Sequence, residues 1–267
     1  LEFRRVLFRS RRPALYEKEG QKIFSRSVWH RMRALGNTLE ERYPSTGLEA
    51  ALTARFGEVW LSEAITDVLV TAYDIELRQP HFFKSTRAKD KANQGRRDYL
   101  MADVGRATSA APTYFEPALI WSRNAQDDPV SLVDGGVFAN NPAACALVEA
   151  ICNHQANPAE VVMLSLGTGE MTRPILHAEA KSWGLARWAQ PILNVVFDGV
   201  SDTVDFQVGA ILDATQTSEY LRLQTVLHEG NDDMDDASAT NVKVLKLLAK
   251  GLIDKHSKEI DEVLSWL

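Results

Sequence analysis

The chain has 267 residues, enough to bury a full core in one large α/β domain or two small ones. At 45% hydrophobic and 25% charged it has a globular composition, and a net charge of −6 supplies no basic excess to neutralise nucleic-acid phosphates. No apolar run reaches the length of a membrane span, no Cys-x-x-Cys occurs, and the six histidines lack the spacing of a helical zinc site, so no metal or cofactor is expected.

Leu1–Ser10 alternates apolar and basic residues, and its apolar part is too short for a secretory signal. It resembles the in-frame translation of a sequencing-adapter oligonucleotide. Residues 1–12 are therefore expected to be an assembly artefact, and residues 13–267 the protein proper. Tyr16–Leu35 reads as helix and loop around Ile23, Phe24, Val28 and Trp29. Leu48, Leu52 and Phe56 recur at helical spacing and stop at Gly57, a C-cap. Asp67–Ile75 is β-rich, and Gln79–Ser85 is its hairpin partner across a polar turn. Lys84–Arg97 is strongly charged and reads as a solvated loop. Asp98–Ala111 reads as a helix ending before Pro112, whose ring disfavours helix in the residue before it.

Val130–Val133 is a strand, Pro142–His154 a helix, and Val161–Leu166 a continuous apolar run that fits a buried parallel strand. Strand, helix and strand make a βαβ unit, so a parallel sheet covered by helices is expected. Cys145 and Cys152 lie about two turns apart in that helix, too far to bridge, and read as reduced core thiols of a cytoplasmic protein. Ser182–Asp213 is helical in pattern, Glu219–Val226 is a late strand, and Asn241–Leu267 is an amphipathic helix pair. No repeat, low-complexity tract or linker divides the chain, so one domain is expected.

The candidate catalytic residue is Asp134, in Val130-Ser-Leu-Val-Asp134-Gly135-Gly136. A strand ends on the carboxylate, two glycines follow, and Asn141 and Pro142 signal a helix start. In open α/β sheets that edge is where sites are built. A carboxylate held there can act as general base for a neighbouring hydroxyl, and Gly135 and Gly136 let another group approach it. The alternative is an ordinary Asp-Gly turn. The hydroxyl would normally sit on a Gly-x-Ser-x-Gly elbow, and the 267 residues contain none. The nearest approach, Gly199-Val-Ser201-Asp-Thr203, lies in a helical pattern and reads as a surface or capping serine.

Gly167-Thr168-Gly169 could cradle an anion, although a βα turn that needs glycine explains it as well. Thr108-Ser-Ala-Ala-Pro112 closes a helix with small residues that permit close packing against a site, although an ordinary helix end explains them as well. Asp232, Asp233, Asp235 and Asp236 lack the central glycine and distal glutamate of a calcium loop and read as an acidic approach to the last helices.

Several of these segments together resemble the patatin-like phospholipases. They are Ile23-Phe24, Leu48–Gly57, Val70-Thr-Ala-Tyr-Asp-Ile75, Phe83-Lys-Ser85 and Ala107-Thr-Ser-Ala-Ala-Pro-Thr-Tyr-Phe115. They continue through Asp134-Gly-Gly-Val137 with Asn140-Asn-Pro142, Leu164-Ser-Leu-Gly-Thr-Gly169, Trp183-Gly184 and Met234-Asp-Asp-Ala-Ser238. The resemblance implies an α/β fold, a three-layer α/β/α sandwich with a central, mostly parallel sheet, here missing its N-terminal part. It also implies a lipid acyl hydrolase working by a Ser–Asp dyad, with Asp134 as proton acceptor in the motif Asp134, Gly135, Gly136. The family's glycine-rich oxyanion loop and elbow serine would lie upstream of this chain.

On that reading residues 13–267 are the larger, C-terminal part of the domain, and this fragment alone is expected to be inactive. The implied partner is a phospholipid or other acyl lipid, met through peripheral membrane contact, with no nucleic acid. The alternatives are a nucleophile-free binding or storage relative of the same fold, and a nucleotide binder using Gly167–Gly169.

Overall fold

The computed structural model describes residues 13–25, 43–170, 174–188, 191–217, 219–228, 233 and 235–266. The residues 1–12 segment, Val28, Trp29, Asp232 and Met234 lie outside them. The described chain groups into two compact units, residues 1–134 with 233–242 and residues 135–232 with 243–267. Composition marks no such division, because the chain leaves the first unit inside Asp134-Gly135 and not through a linker.

In the first unit, α1 (Pro13–Ile23) and α2 (Thr46–Phe56) enclose a small core of Ile23, Tyr43, Leu48, Ala51 and Phe115. The helix α2 ends as expected: Gly57 takes φ 57° and returns its N–H to the Thr53 carbonyl at 2.8 Å. A four-stranded antiparallel sheet follows in the order β2-β1-β4-β3, with β1 Leu69–Asp74, β2 Gln79–Lys84, β3 Ala118–Ser122 and β4 Ala125–Asp134. The expected hairpin is β1–β2. Its turn is held by Asp74, whose Oδ1 accepts the amides of Glu76 and Leu77 at 3.0 and 2.9 Å.

Alternation sorts the sheet into two faces. Ala72, Phe83, Leu132, Ala118 and Ile120 are buried, whereas Phe82, Leu119 and Trp121 on the other face are exposed. The buried face is covered by α4 (Met101–Thr108) through Val104 and Ala107. That helix is shorter than the expected Asp98–Ala111. The carboxylate of Asp98, 2% exposed, is instead taken by the Ser62 amide and hydroxyl at 2.9 and 2.8 Å and by Arg123 at 3.2 Å. The charged stretch 84–97 is also more ordered than a solvated loop: α3 spans Ser85–Lys89, with Ser85 and Ala88 buried, and a 3-10 turn follows at Lys91–Asn93. On α4, the buried Arg106 reaches Glu49 of α2 at 3.1 Å and the Glu116 carbonyl at 3.0 Å.

In the second unit, α5 (Gly136–Ala139) and α6 (Ala143–Asn153) precede β5 (Val162–Leu166), which pairs in parallel with β6 (Glu219–Leu223). Between them run α7 (His177–Ala180), α8 (Leu185–Trp188) and the long α9 (Pro191–Asp213). Ala143 and Leu147 of α6 pack with Val208 and Leu212 of α9 against Met163 and Tyr220. Arg222 of β6 ties the strands to α9 by donating to Ser165 and Ser201 at 2.9 and 3.2 Å. The chain closes with α10 (Ala239–Lys255) and α11 (Ser257–Ser265), the expected helix pair.

The content is α/β, but a mostly parallel sheet is not what the described residues form. Their one parallel pairing is β5–β6, and β4 and β5 belong to different sheets, so Val130–Leu166 is not a βαβ unit of adjacent strands. The neighbours of β4 are β1, along Leu132–Asp134, and β3, at Ala125 and along Val130–Leu132. Nor is β5 fully buried, since Leu164 and Leu166 are exposed. The cysteines form no disulfide but are not core thiols: Cys145 is half-buried and Cys152 exposed. Cys152 lies roughly 140° around the helix from the buried Leu147.

Candidate active site

Asp134 is the last residue of β4, half-buried, and in register with Ala72 of β1. Its position is fixed from the backbone. The Asp134 N–H donates to the Ala110 carbonyl at 3.0 Å, while the hydroxyl of Thr108, at the end of α4, donates to the Thr71 carbonyl at 2.8 Å. Two hydrogen bonds thus stitch the end of α4 and the loop after it to the middle of β1 and the end of β4. The close approach needs small side chains, and Ala72, Ala107 and Ala110 are all fully buried. The Thr108–Pro112 segment closes α4 and meets the end of β4 through the Ala110 carbonyl.

After Asp134 the chain turns at once into helix. Gly135 has φ −67° and ψ −16°, and its carbonyl accepts the amides of Phe138 and Ala139 at 3.2 and 2.9 Å. Neither Gly135 nor Gly136 is among the positive-φ residues, so conformational freedom is not the reason for glycine here. Gly135 is buried, and Gly136 opens the following helix. α6 begins one residue later than expected, with Pro142 at the N-cap position, and Asn141 Oδ1 accepts the Ala143 amide at 3.1 Å from just ahead of it. Asn141 Nδ2 donates to the Ser201 carbonyl, and Asn140 Nδ2 donates to the Phe197 carbonyl, both at 3.3 Å, which pins the α5–α6 corner to α9.

The other candidates have structural employment. Gly169 takes φ 112°, and its N–H is already given to Gln224 Oε1 at 2.9 Å. A Cβ on Gly167 would stand 2.3 Å from that same Gln224 oxygen. The Gly167–Gly169 turn thus needs glycine for its own packing, and one of the amides an anion would use is spent. Ser201 lies within α9, where its hydroxyl accepts from Arg222, so it is neither a cap nor an elbow nucleophile. Asp235 accepts the Tyr43 hydroxyl at 2.5 Å, and Asp236 Oδ1 accepts the Ser238 amide at 3.0 Å. Among the described residues no group of three His, Cys, Asp or Glu could hold a metal, and no helix is long and apolar enough to cross a membrane.

A half-buried carboxylate at a strand end, backed by a tight loop of alanines and followed directly by a helix, makes this an α/β protein with a positioned candidate base. The chain belongs to the patatin-like phospholipase family, whose sequence profile matches residues 3–147, a span that contains Asp134, Gly135 and Gly136. It is 29% identical to Patatin-like protein 4 of Arabidopsis thaliana over 90% of its own length and 65% of that protein's. It is also 29% identical to Probable inactive patatin-3-Kuras 1 of Solanum tuberosum, over 91% of this chain and 67% of that one. Patatin-like protein 2 of Oryza sativa subsp. indica matches at 29% over 92% of this chain and 67% of its own. The chain thus spans about two thirds of the length of these relatives.

Proposed function

We propose that this chain carries the general base of a lipid acyl hydrolase, with Asp134 as the acid residue of a Ser–Asp dyad. The observation that supports the reading is the placement of Asp134 at a strand end, fixed through the Ala110 carbonyl, within the part of the chain that matches the family. The 267 residues hold no Gly-x-Ser-x-Gly, so the proposal takes the serine, and the amides that stabilise the oxyanion, from outside them. It likewise takes the remaining strands of a three-layer, mostly parallel sheet from there.

Asp134 accepts the serine proton as the hydroxyl oxygen attacks the acyl carbonyl, and backbone amides stabilise the resulting oxyanion. Collapse expels the alcohol, which leaves with that proton. Water, deprotonated by Asp134, then attacks the acyl-enzyme, and the serine recovers its proton as the fatty acid departs. The substrate class is a phospholipid or related acyl ester, reached by peripheral contact with a lipid surface. The location would be cytoplasmic, consistent with two cysteines that are not disulfide-bonded.

A second reading is a binding or storage relative without a nucleophile. It is favoured by the missing elbow and by the similarity to a potato protein named as probably inactive. The test is to express the complete coding sequence, label it with a fluorophosphonate and assay ester hydrolysis, with Asp134→Asn alongside. The hydrolase reading expects a labelled serine outside residues 1–267, and activity that Asp134→Asn reduces about 10²–10⁴-fold while the melting curve is kept. A full-length protein with no reactive serine, or an Asp134→Asn variant of unchanged activity, would favour the second reading.

A further inference from the structure

A cavity of about 430 Å³ opens at β2, the outer strand of the four-stranded sheet, and is lined by His81, Lys84, Arg87, Asn93, Arg97 and Tyr99 among others. Three of these six are cationic, and no carboxylate lines it among the described residues. Asp74 and Asp128 act on the cluster only from outside the lining, and Asp74 is committed to the hairpin amides.

Exposed arginines alone would be unremarked surface, but the groups behind them are not. Tyr99 is 5% exposed and His81 is 9% exposed, and neither has a polar atom sealed from solvent without a partner. Both line a cavity that holds no carboxylate among the described residues, so they add neutral donors to its charged ones. Nor do the guanidinium groups of Arg87 and Arg97 have an ion pair or hydrogen bond of their own among the described residues. Desolvation and Arg97 together hold His81 down to about 4, so at neutral pH the ring is uncharged and offers one N–H.

We propose that this cavity binds a phosphate-type anion, with Arg87 and Arg97 as its charged donors and the Tyr99 hydroxyl and His81 ring completing its shell. The planar guanidinium fork matches phosphate oxygens bidentately, and the strongest hydrogen bonds to an anion come from such charged donors. The volume falls within the range of small-molecule sites and is larger than inorganic phosphate needs, so a phosphorylated head group also fits. The site does not depend on Asp134 or on the hydrolase reading. It is built on β2 and the 84–97 segment, which the family likeness leaves without a role.

Two sources could supply the anion, free phosphate or a lipid head group, and one experiment separates them. The full-length protein is titrated with inorganic phosphate while the histidine ring signals are followed by NMR, with His81 assigned from His81→Gln. In parallel it is sedimented with ether-linked phosphatidylcholine vesicles, with and without ether-linked phosphatidic acid, so that no ester can be hydrolysed. A free-anion site expects saturable phosphate binding that raises the His81 titration midpoint. A head-group site expects sedimentation only with phosphatidic acid.

In either case Arg87→Gln/Arg97→Gln weakens binding about tenfold or more. Arg87→Lys/Arg97→Lys, which keeps the charge but not the fork, recovers only part of it. Both arginines are exposed, so the variants keep the fold, which a thermal melt verifies. The proposal is overturned if neither probe binds saturably, or if the double Gln variant binds as tightly as the parent.

Discussion

Asp134-Gly135-Gly136 and Gly167-Thr168-Gly169 both follow a strand with two glycines, yet the backbone uses them differently. At the first, φ is −67° at Gly135, a value open to any residue, and the chain passes directly into α5 from a carboxylate at the strand end. At the second, φ is 112° at Gly169, and a Cβ there would stand 2.6 Å from Leu227. The turn is locked by its own packing and by Gln224. A glycine pair after a strand is therefore not a site in itself. It becomes one where the residue before it has chemistry to offer and the glycines are not consumed by the turn.

The sharpest way to break this contrast is a double dissociation. Asp134→Asn in the full-length protein should lose about 10²–10⁴-fold in kcat with little change in urea midpoint. Gln224→Ala should do the reverse, since it removes the acceptor of the Gly169 and Thr225 amides. Steady-state kinetics and urea titration of both variants give the answer, and an inactive but fully stable Gln224→Ala would reassign the second turn to function.

Substituting the glycines themselves sharpens it further. Gly169→Ala combines a strained φ with overlap against Leu227 and should cost about 2–4 kcal/mol in a denaturant titration. Gly135→Ala has no backbone strain to pay, and stability should change by under about 1 kcal/mol. A larger loss at Gly135, or lost activity at full stability, would show that the space over that residue is itself required.

Local pattern made much of this legible. The hairpin of β1 and β2, the end of α2 at Gly57, the strand that stops on Asp134, and the Asn141 turn ahead of α6 all follow from propensities carried within a few residues. What pattern could not convey is which strands neighbour one another. Val162–Leu166 reads as a partner for Val130–Val133, but β4 pairs with β3, of which only Ala118, Ile120 and Ser122 are buried. The residues around Asp134 were legible as small, but not that the Ala110 carbonyl receives the Asp134 amide, because that bond joins segments 24 residues apart. The cavity at β2 was hidden for the same reason: its donors come from a strand and from a charged stretch that looked merely solvated.

The polar end of the sheet differs from the Asp134 end in how it responds to acid. His81 is held near 4 chiefly by burial and then by Arg97, with Asp74 acting in the opposite sense. Its ordinary value is 6.5, so between the two the unfolded chain binds more protons than the folded one, and stability falls as pH drops through that window. Above 6.5 the contribution is fully present, and below 4 it has been lost. The shift corresponds to about 2 kcal/mol once the open cavity's water is allowed for. His81→Gln should flatten the stability profile between pH 7 and pH 4 by that amount, measured as the difference from the parent in urea titrations at each pH.

The mildest change separates holding a residue from being the residue. Thr108→Val keeps the β-branched shape and removes the 2.8 Å hydrogen bond to the Thr71 carbonyl. One neutral hydrogen bond, with its acceptor left in a buried strand, is worth about 1 kcal/mol. The loop it anchors also presents the Ala110 carbonyl to the Asp134 amide, so loosening it should let the carboxylate wander from its attacking geometry. In the full-length protein kcat should therefore fall a few-fold with KM unchanged, because the substrate-binding surface is not altered. If kcat holds while stability drops, the stitch serves the fold alone, and Asp134 is positioned by its place in β4 without help from the loop.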